Sequence, residues 1–329
     1  MRALARSLPE AITELDAEGS ADGATGVAGD VVVHLAEGPH PDRALGRALA
    51  VARRHGARTV HVLAEPGTRA VGTVARRAEA FADPPHVWEV RGAELTRAAA
   101  TPAAPVLVVD PYETFPEAVA LLVAGGAEVL VEDGVLVGEV MGLEVARWVD
   151  EDPGRLEVGV GRHDREAFEL LHGHLPPAAA LAQVIDTVRA HRQPGAEHHP
   201  LNRLALERWL RRSVMARPEA IGVRHLAPAD PPVPRTGVKD PRPAVAVGVD
   251  LDDRSVVVVT STGIDIDLVP FAADARLRHD PRARLVVVVP ERDAHAVTRD
   301  LAVALRVPAE VSTVPEGWRE WAHSGAPVP

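Results

Sequence analysis

Runs of valine constrain this chain more than any other feature. Val31-Val32-Val33 and Val256-Val257-Val258-Val259 are β-branched and continuous, the pattern of a strand buried on both faces rather than of a half-exposed one. Each run leads into an amphipathic segment. After the first, Asp42 to Arg54 places Leu45, Ala48, Leu49 and Ala52 on one helical face and is stopped by Gly56, and residues 58–64 (RTVHVLA) return as a strand. Val71, Val74, Ala75, Ala78 and Phe81 then mark a second helix, before a short strand over Val87 to Val90. Strands alternating with amphipathic helices predict a parallel sheet with right-handed crossovers.

The C-terminal third shows the same order at a constant offset of 226 residues. Val31-Val32-Val33 falls on Val257-Val258-Val259, the helix after Asp42 on the helix after Asp267, Glu65 on Glu291, and Ala78 on Ala304. The expected fold class is α/β: two Rossmann-like βαβαβ units, an internal repeat, flanking a central α+β segment, either as halves of one doubly wound sheet or as two lobes. The expected organisation is a flexible lead-in at 1–29, the first unit at 30–110, the central segment at 111–227, a proline-rich linker at 228–243 and the second unit at 244–329. Within the centre, Val106 to Val109 reads as a strand and Pro116 to Val123 as a helix. A β-meander turns at Asp133-Gly134, and Arg155 to Gly161 makes one more strand. Helices follow to about Met215, with Asn202 as an N-cap before Trp209.

Composition removes several chemistries. Cysteine is absent, which excludes thiol nucleophiles, disulfides and Cys-ligated metals, and fits a cytoplasmic protein. No signal-like apolar segment opens the chain and no run of about 18 apolar residues follows, so no membrane association is expected. Lys239 is the only lysine and sits in TGVKDP, which excludes a P-loop. The formal charge of −11 argues against a general binder of phosphate backbones, although a local basic patch can override a net value.

In an open α/β sheet, ligands bind beyond the carboxyl ends of the strands. In the second unit that rule selects Ser261, Thr262, Gly263, Asp265 and Asp267 after one strand, and Glu291 and Asp293 after the next. Asp265 and Glu291 are the candidate catalytic groups. With Asp267 they would hold Mg²⁺ if the site is catalytic, in hydrolytic phosphoryl or phosphodiester chemistry, and a turn at Thr262-Gly263 can bind an anion directly. Against this, Asp267 and Asp293 each precede a helix and have a plainer explanation as N-caps. Asp265 lies opposite Pro39 of the first repeat and has no such explanation.

A second candidate site lies in the meander: Glu139, Glu144 and Glu157, with His163 as a base and Asp164 beside it. A helix and meander carrying acids resembles the cores of metal-dependent nucleases in outline, but Gly159 stands where an E-x-K motif needs lysine. Alternating charges on a sheet are more often a solvated face. His172 and His174, with His198 and His199, have no diagnostic metal-ligand spacing. Finally, Arg208, Arg211 and Arg212 share one side of a helix, a stripe that either grips phosphate or nucleic acid or pairs with acids of a neighbouring segment. Two functions of different class are therefore expected: binding of a phosphate-containing ligand at the second unit's strand edge, or a non-enzymatic scaffold docking nucleic acid or an acidic partner through these arginines.

Overall fold

The computed structural model describes residues 1–20, 22–38, 40–66, 69–152, 154–161, 165–166, 175–193, 196 and 199–324. It is a mixed α/β structure with three sheets. The first begins earlier than the sequence suggests. Helix α1 (Arg2–Ala5) and strands β1 (Asp16–Ser20) and β2 (Gly23–Ala28) occupy the region expected to be a flexible lead-in. The correction has a simple cause: Ala5, Leu8, Ile12 and Leu15 cover Val33 and Leu63 on the sheet face that the helices leave bare. Then come β3 (Val31–Ala36), α2 (Ala44–His55), β4 (Thr59–Ala64), α3 (Arg69–Ala78), β5 (His86–Arg91) and β6 (Glu94–Arg97), giving a sheet in the order β1-β2-β3-β4-β5-β6. The β3–β4 and β4–β5 pairings are parallel and the rest antiparallel. Helix α2 ends as expected on Gly56, at φ 66°, a left-handed conformation that costs glycine little.

Val106 to Val109 is not a strand. Pro102 and Pro105 precede it, and β6 already occupies the β5 edge on which it would pair, so Leu107 and Val108 stay exposed. Asp110 instead caps α4 (Pro111–Thr114), accepting from the backbone N–H of Tyr112 at 2.8 Å. After α5 (Pro116–Gly125), β7 (Glu128–Glu132), β8 (Val135–Val140), β9 (Leu143–Val149) and β10 (Arg155–Val158) form the antiparallel meander in the order β10-β9-β8-β7. Asp133 and Gly134 both have positive φ, 51° and 82°, as a tight hairpin turn requires. Helix α6 (Pro177–His191) buries Leu181, Val184, Ile185 and Val188 against this sheet, and α7 (Leu206–Ala216) follows. Ala205, not Asn202, is the N-cap of α7, because Asn202 lies in a separate 3₁₀ turn over Pro200–Arg203.

The third sheet comprises β11 (Val223–Ala229), β12 (Ala244–Asp250), β13 (Ser255–Thr260), α8 (Leu268–His279), β14 (Arg284–Pro290), α9 (Ala296–Ala304) and β15 (Glu310–Val314), before α10 (Trp321–Ser324). Its order is β11-β12-β13-β14-β15, parallel from β13 onward. The expected linker is thus shorter. Pro228 pairs with Ala246 in the edge strand β11, where a missing N–H is tolerated, and only 230–243 lacks regular structure.

Period-2 alternation explains the valine runs. Val257 and Val259 face one core and Val256 and Val258 another, where Trp209, Leu210 and Val214 of α7 meet them. The first of these cores is shared. It contains Val32 and Val62 of the first sheet, Leu45 of α2, Val74 of α3, Phe271 of α8 and Leu301 of α9, so the helices of both units lie between two separate sheets. Gly46 permits the close fit: a Cβ there would lie 2.1 Å from the Ile266 carbonyl oxygen. The backbone also joins across the units, with Ala82 N–H donating to Ala304 O at 3.0 Å and Arg306 N–H to Ala80 O at 2.8 Å. Among the described residues, no helix is long and apolar enough to cross a membrane.

Candidate functional site

Because β13 and β14 are parallel neighbours, the loops after them lie side by side, as the sequence implies. Their acids nevertheless do not converge. Asp265 accepts from the Asp267 backbone N–H at 2.9 Å and pairs with Arg43 of the first unit at 2.7 Å. Asp267 occupies the N-cap position of α8 but does not cap it. Pressed against α2 and α3, it instead accepts from Gly46 N–H at 3.0 Å and pairs with buried Arg77 at 2.7 Å. Burial, reinforced by neighbouring Asp265, pushes the Asp267 carboxyl up to about 7 even though Arg77 and Arg43 oppose the shift. Asp293 also has a tertiary partner rather than a helix end: it accepts from Gly263 N–H at 2.7 Å and fastens the two loops together. Glu291 is exposed, and Ser261 is buried with no hydrogen-bond partner for its hydroxyl among the described residues. Among those residues, no three acids or histidines form a metal-holding group.

The meander acids and the arginine stripe, separate in the sequence, meet each other. Glu128, Glu139 and Glu144 stand in adjacent register across β7, β8 and β9, a row of like charges that needs neutralising. Helix α7 supplies the counter-charges because Gly142, at φ 74°, brings the β8–β9 turn against its backbone; a Cβ there would lie 2.5 Å from Trp209 N. Arg208 pairs with Glu139 at 2.9 Å and Glu132 at 3.0 Å, Arg211 with Glu139 at 3.1 Å, and Arg212 with Glu128. All three arginines are buried, so neither a solvated acidic face nor an open basic patch exists here. Glu157, half-buried, pairs with Arg155 at 2.9 Å. His163, Asp164, His172, His174 and His198 lie outside the described residues.

Two clefts flank the irregular segment 236–240, and Val238, Lys239 and Asp240 line both. The strand-edge cleft, about 450 Å³, is lined by Thr262 and Gly263 with Glu207, Arg203, Lys239 and Arg292. Thr262 donates its hydroxyl to Glu207 at 2.9 Å, and burial pushes the Glu207 carboxyl above the usual carboxylate range. Lys239 and Arg203 are exposed and make no ion pair with any described residue. The second cleft, about 780 Å³, lies against the meander and is lined by Glu144 with Arg147, Arg165, Arg208, Arg235 and Lys239. Burial works to raise Glu144, but hydrogen bonds and charge from Arg147, Arg208 and Arg165 hold it below its ordinary range.

Thr262 and Gly263, singled out from the sequence, line the strand-edge cleft, whereas Arg165, Arg203, Arg235 and Asp240 carried no such reading there. The one signal available was the isolation of the single lysine, with a glycine two residues before it, inside a proline-rich stretch. Comparison of the chain with protein-family models, with curated proteins and with solved structures gives no match.

Proposed function

We propose that this protein binds a phosphate-containing ligand at the strand edge of its second α/β unit, in the cleft lined by Thr262, Gly263, Arg203, Lys239 and Arg292. The observation that carries the reading is a pair of cations, Lys239 and Arg203, without described counter-ions, beside the carboxyl ends of two parallel strands. Gly263 supports it as well, since its left-handed turn at φ 72° leaves open space where a Cβ would stand and lets backbone come close to a ligand. Mg²⁺ held by Asp265, Asp267 and Glu291 would compete with the guanidiniums of Arg43 and Arg77, so the proposal is binding without a metal. Docking of nucleic acid through Arg208, Arg211 and Arg212 has no supporting observation, because those side chains are engaged and buried. We also take the two α/β units to be an internal repeat. Their shared order of strand, helix, strand, helix and strand supports that, as does the parallel pairing of the same three strands in each.

The test is thermal unfolding with increasing inorganic phosphate. Wild type gains about 1.4 kcal/mol of stability when phosphate reaches roughly ten times its Kd, and Lys239→Ala with Arg203→Ala gains clearly less. An equal gain in the double variant, or none in wild type, would refute the site. The same titration with Mg²⁺ examines the metal-dependent form, which a thermal shift abolished by Asp265→Ala would restore.

A further inference from the structure

We propose that the cleft on the other side of residues 236–240 is a second anion site, and that the ligand is an elongated polyphosphate chain gripped on both sides of Lys239. For one of its two contacts this rests on the strand-edge reading above; the second contact stands on different residues.

Among the described residues, the walls of the second cleft carry Arg147, Arg165, Arg208, Arg235 and Lys239 against Glu144 and Asp240. Both carboxylates are already taken. Glu144 is shared by three guanidiniums, Arg165 at 2.7 Å, Arg147 at 2.9 Å and Arg208 at 3.9 Å. Asp240 accepts from Arg242 at 2.9 Å and from the Thr236 backbone and hydroxyl at 3.1 Å. Arg235 has only a share of a carboxylate among the described residues, since its one ion-pair partner, Glu132, already pairs with Arg208 at 3.0 Å. Its side chain is 5 % exposed, and its hydrogen bonds at 2.9 Å go to the neutral carbonyls of Arg242 and Pro243. The nearest acid, Glu132, is 3.7 Å away. Its Nε, like those of Arg165 and Arg208, has no hydrogen-bond partner among the described residues. Burial and the neighbouring Arg208 push its guanidinium down to about 10, the response of a cation short of negative charge. A buried charge that is only partly compensated is unfavourable, and an entering anion would supply the remainder.

The class of ligand follows from what lines the clefts. Guanidiniums match phosphate oxygens with two parallel donors each. Among the described residues no aromatic side chain lines either cleft, so a nucleobase finds none of them to stack on, and recognition rests on the phosphates. Lys239 lines both clefts, so a chain of linked phosphates passing over it would occupy the two together where a single phosphate fills one.

Calorimetric titration of the full chain with orthophosphate, a short linear polyphosphate and an oligothymidylate tests this. Wild type should bind polyphosphate about tenfold or more tightly than orthophosphate. Arg147→Gln, with Arg165→Gln as a second probe of the same cleft, should remove most of that advantage, so that polyphosphate binds little more tightly than orthophosphate. If both variants bind polyphosphate like wild type while Arg203→Gln does not, the second site is overturned and the strand-edge reading stands. The reverse result overturns the strand-edge contact and keeps this one. Oligothymidylate binding more tightly than polyphosphate overturns the ligand class, and no binding of any probe by wild type overturns both sites.

Discussion

Gly46 lies in the first turn of α2, where alanine would ordinarily stabilise a helix by about 1 kcal/mol over glycine. Here the Cβ would sit 2.1 Å from the Ile266 carbonyl oxygen and 2.6 Å from the Asp267 Cα, both backbone atoms with little freedom to yield. Ordinary contact begins at 3.4 Å, so α2 and the loop before α8 would have to separate by about 1.3 Å. That movement stretches the 3.0 Å hydrogen bond from Gly46 to Asp267 and the 2.7 Å pair between Arg77 and Asp267. Overpacking alone costs about 1–3 kcal/mol, and disrupting a buried ion pair about 3–5 kcal/mol. After the helix gain, Gly46→Ala should destabilise the protein by about 3–7 kcal/mol, which at roughly 1.5 °C per kcal/mol lowers Tm by about 4–10 °C. Thermal unfolding followed by far-UV circular dichroism reads this directly. A Tm equal to or above that of wild type would show that the two units are not packed as tightly as described.

Two further outcomes are expected. The Asp267 carboxyl titrates at about 7 in the folded chain and near 3.8 when unfolded, so the folded state binds the proton more tightly and this stabilisation is present at low pH and lost as pH rises toward 7. Asp267→Asn cannot titrate, so urea unfolding at a series of pH values should show wild type losing ground to the variant over that window, by at most about 4 kcal/mol; parallel curves would contradict the assignment. Arg208→Met leaves Glu132 and Glu139 short of a counter-charge in a buried setting and should cost about 3–5 kcal/mol, with little response to added salt. A neutral effect on Tm would mean that the α7–meander network is not a structural junction.

The strand edge shows how far local reasoning reaches. Thr262 and Gly263 line a cleft where the rule for parallel strands puts ligands, because that rule depends only on chain direction. The acids nearby could not be read the same way. Within its own unit Asp265 accepts the Asp267 backbone N–H, but its charge partner is Arg43, 222 residues earlier. Glu139 and Arg208, taken from sequence as parts of two different sites, are one buried contact across 69 residues. Val106 to Val109 fails for a related reason: its residues favour a strand, but pairing depends on a free edge, and β6 had taken it.

Most of the elements, though not β1, β2 and β6, follow from short-range order along the chain. Strand and helix periods, the positive-φ turns at Gly56 and Asp133-Gly134, and the alternation that makes parallel pairings are set by neighbours a few residues apart, where backbone sterics and side-chain direction act. Only the tertiary structure decided the electrostatics: two sheets enclosing a shared helix layer, acids sealed against arginines from other units, and Lys239 left between two cation-lined clefts. A charge is defined by what surrounds it in space, since burial and an opposite charge a few ångströms away set its energy, and neither is encoded by its place along the chain.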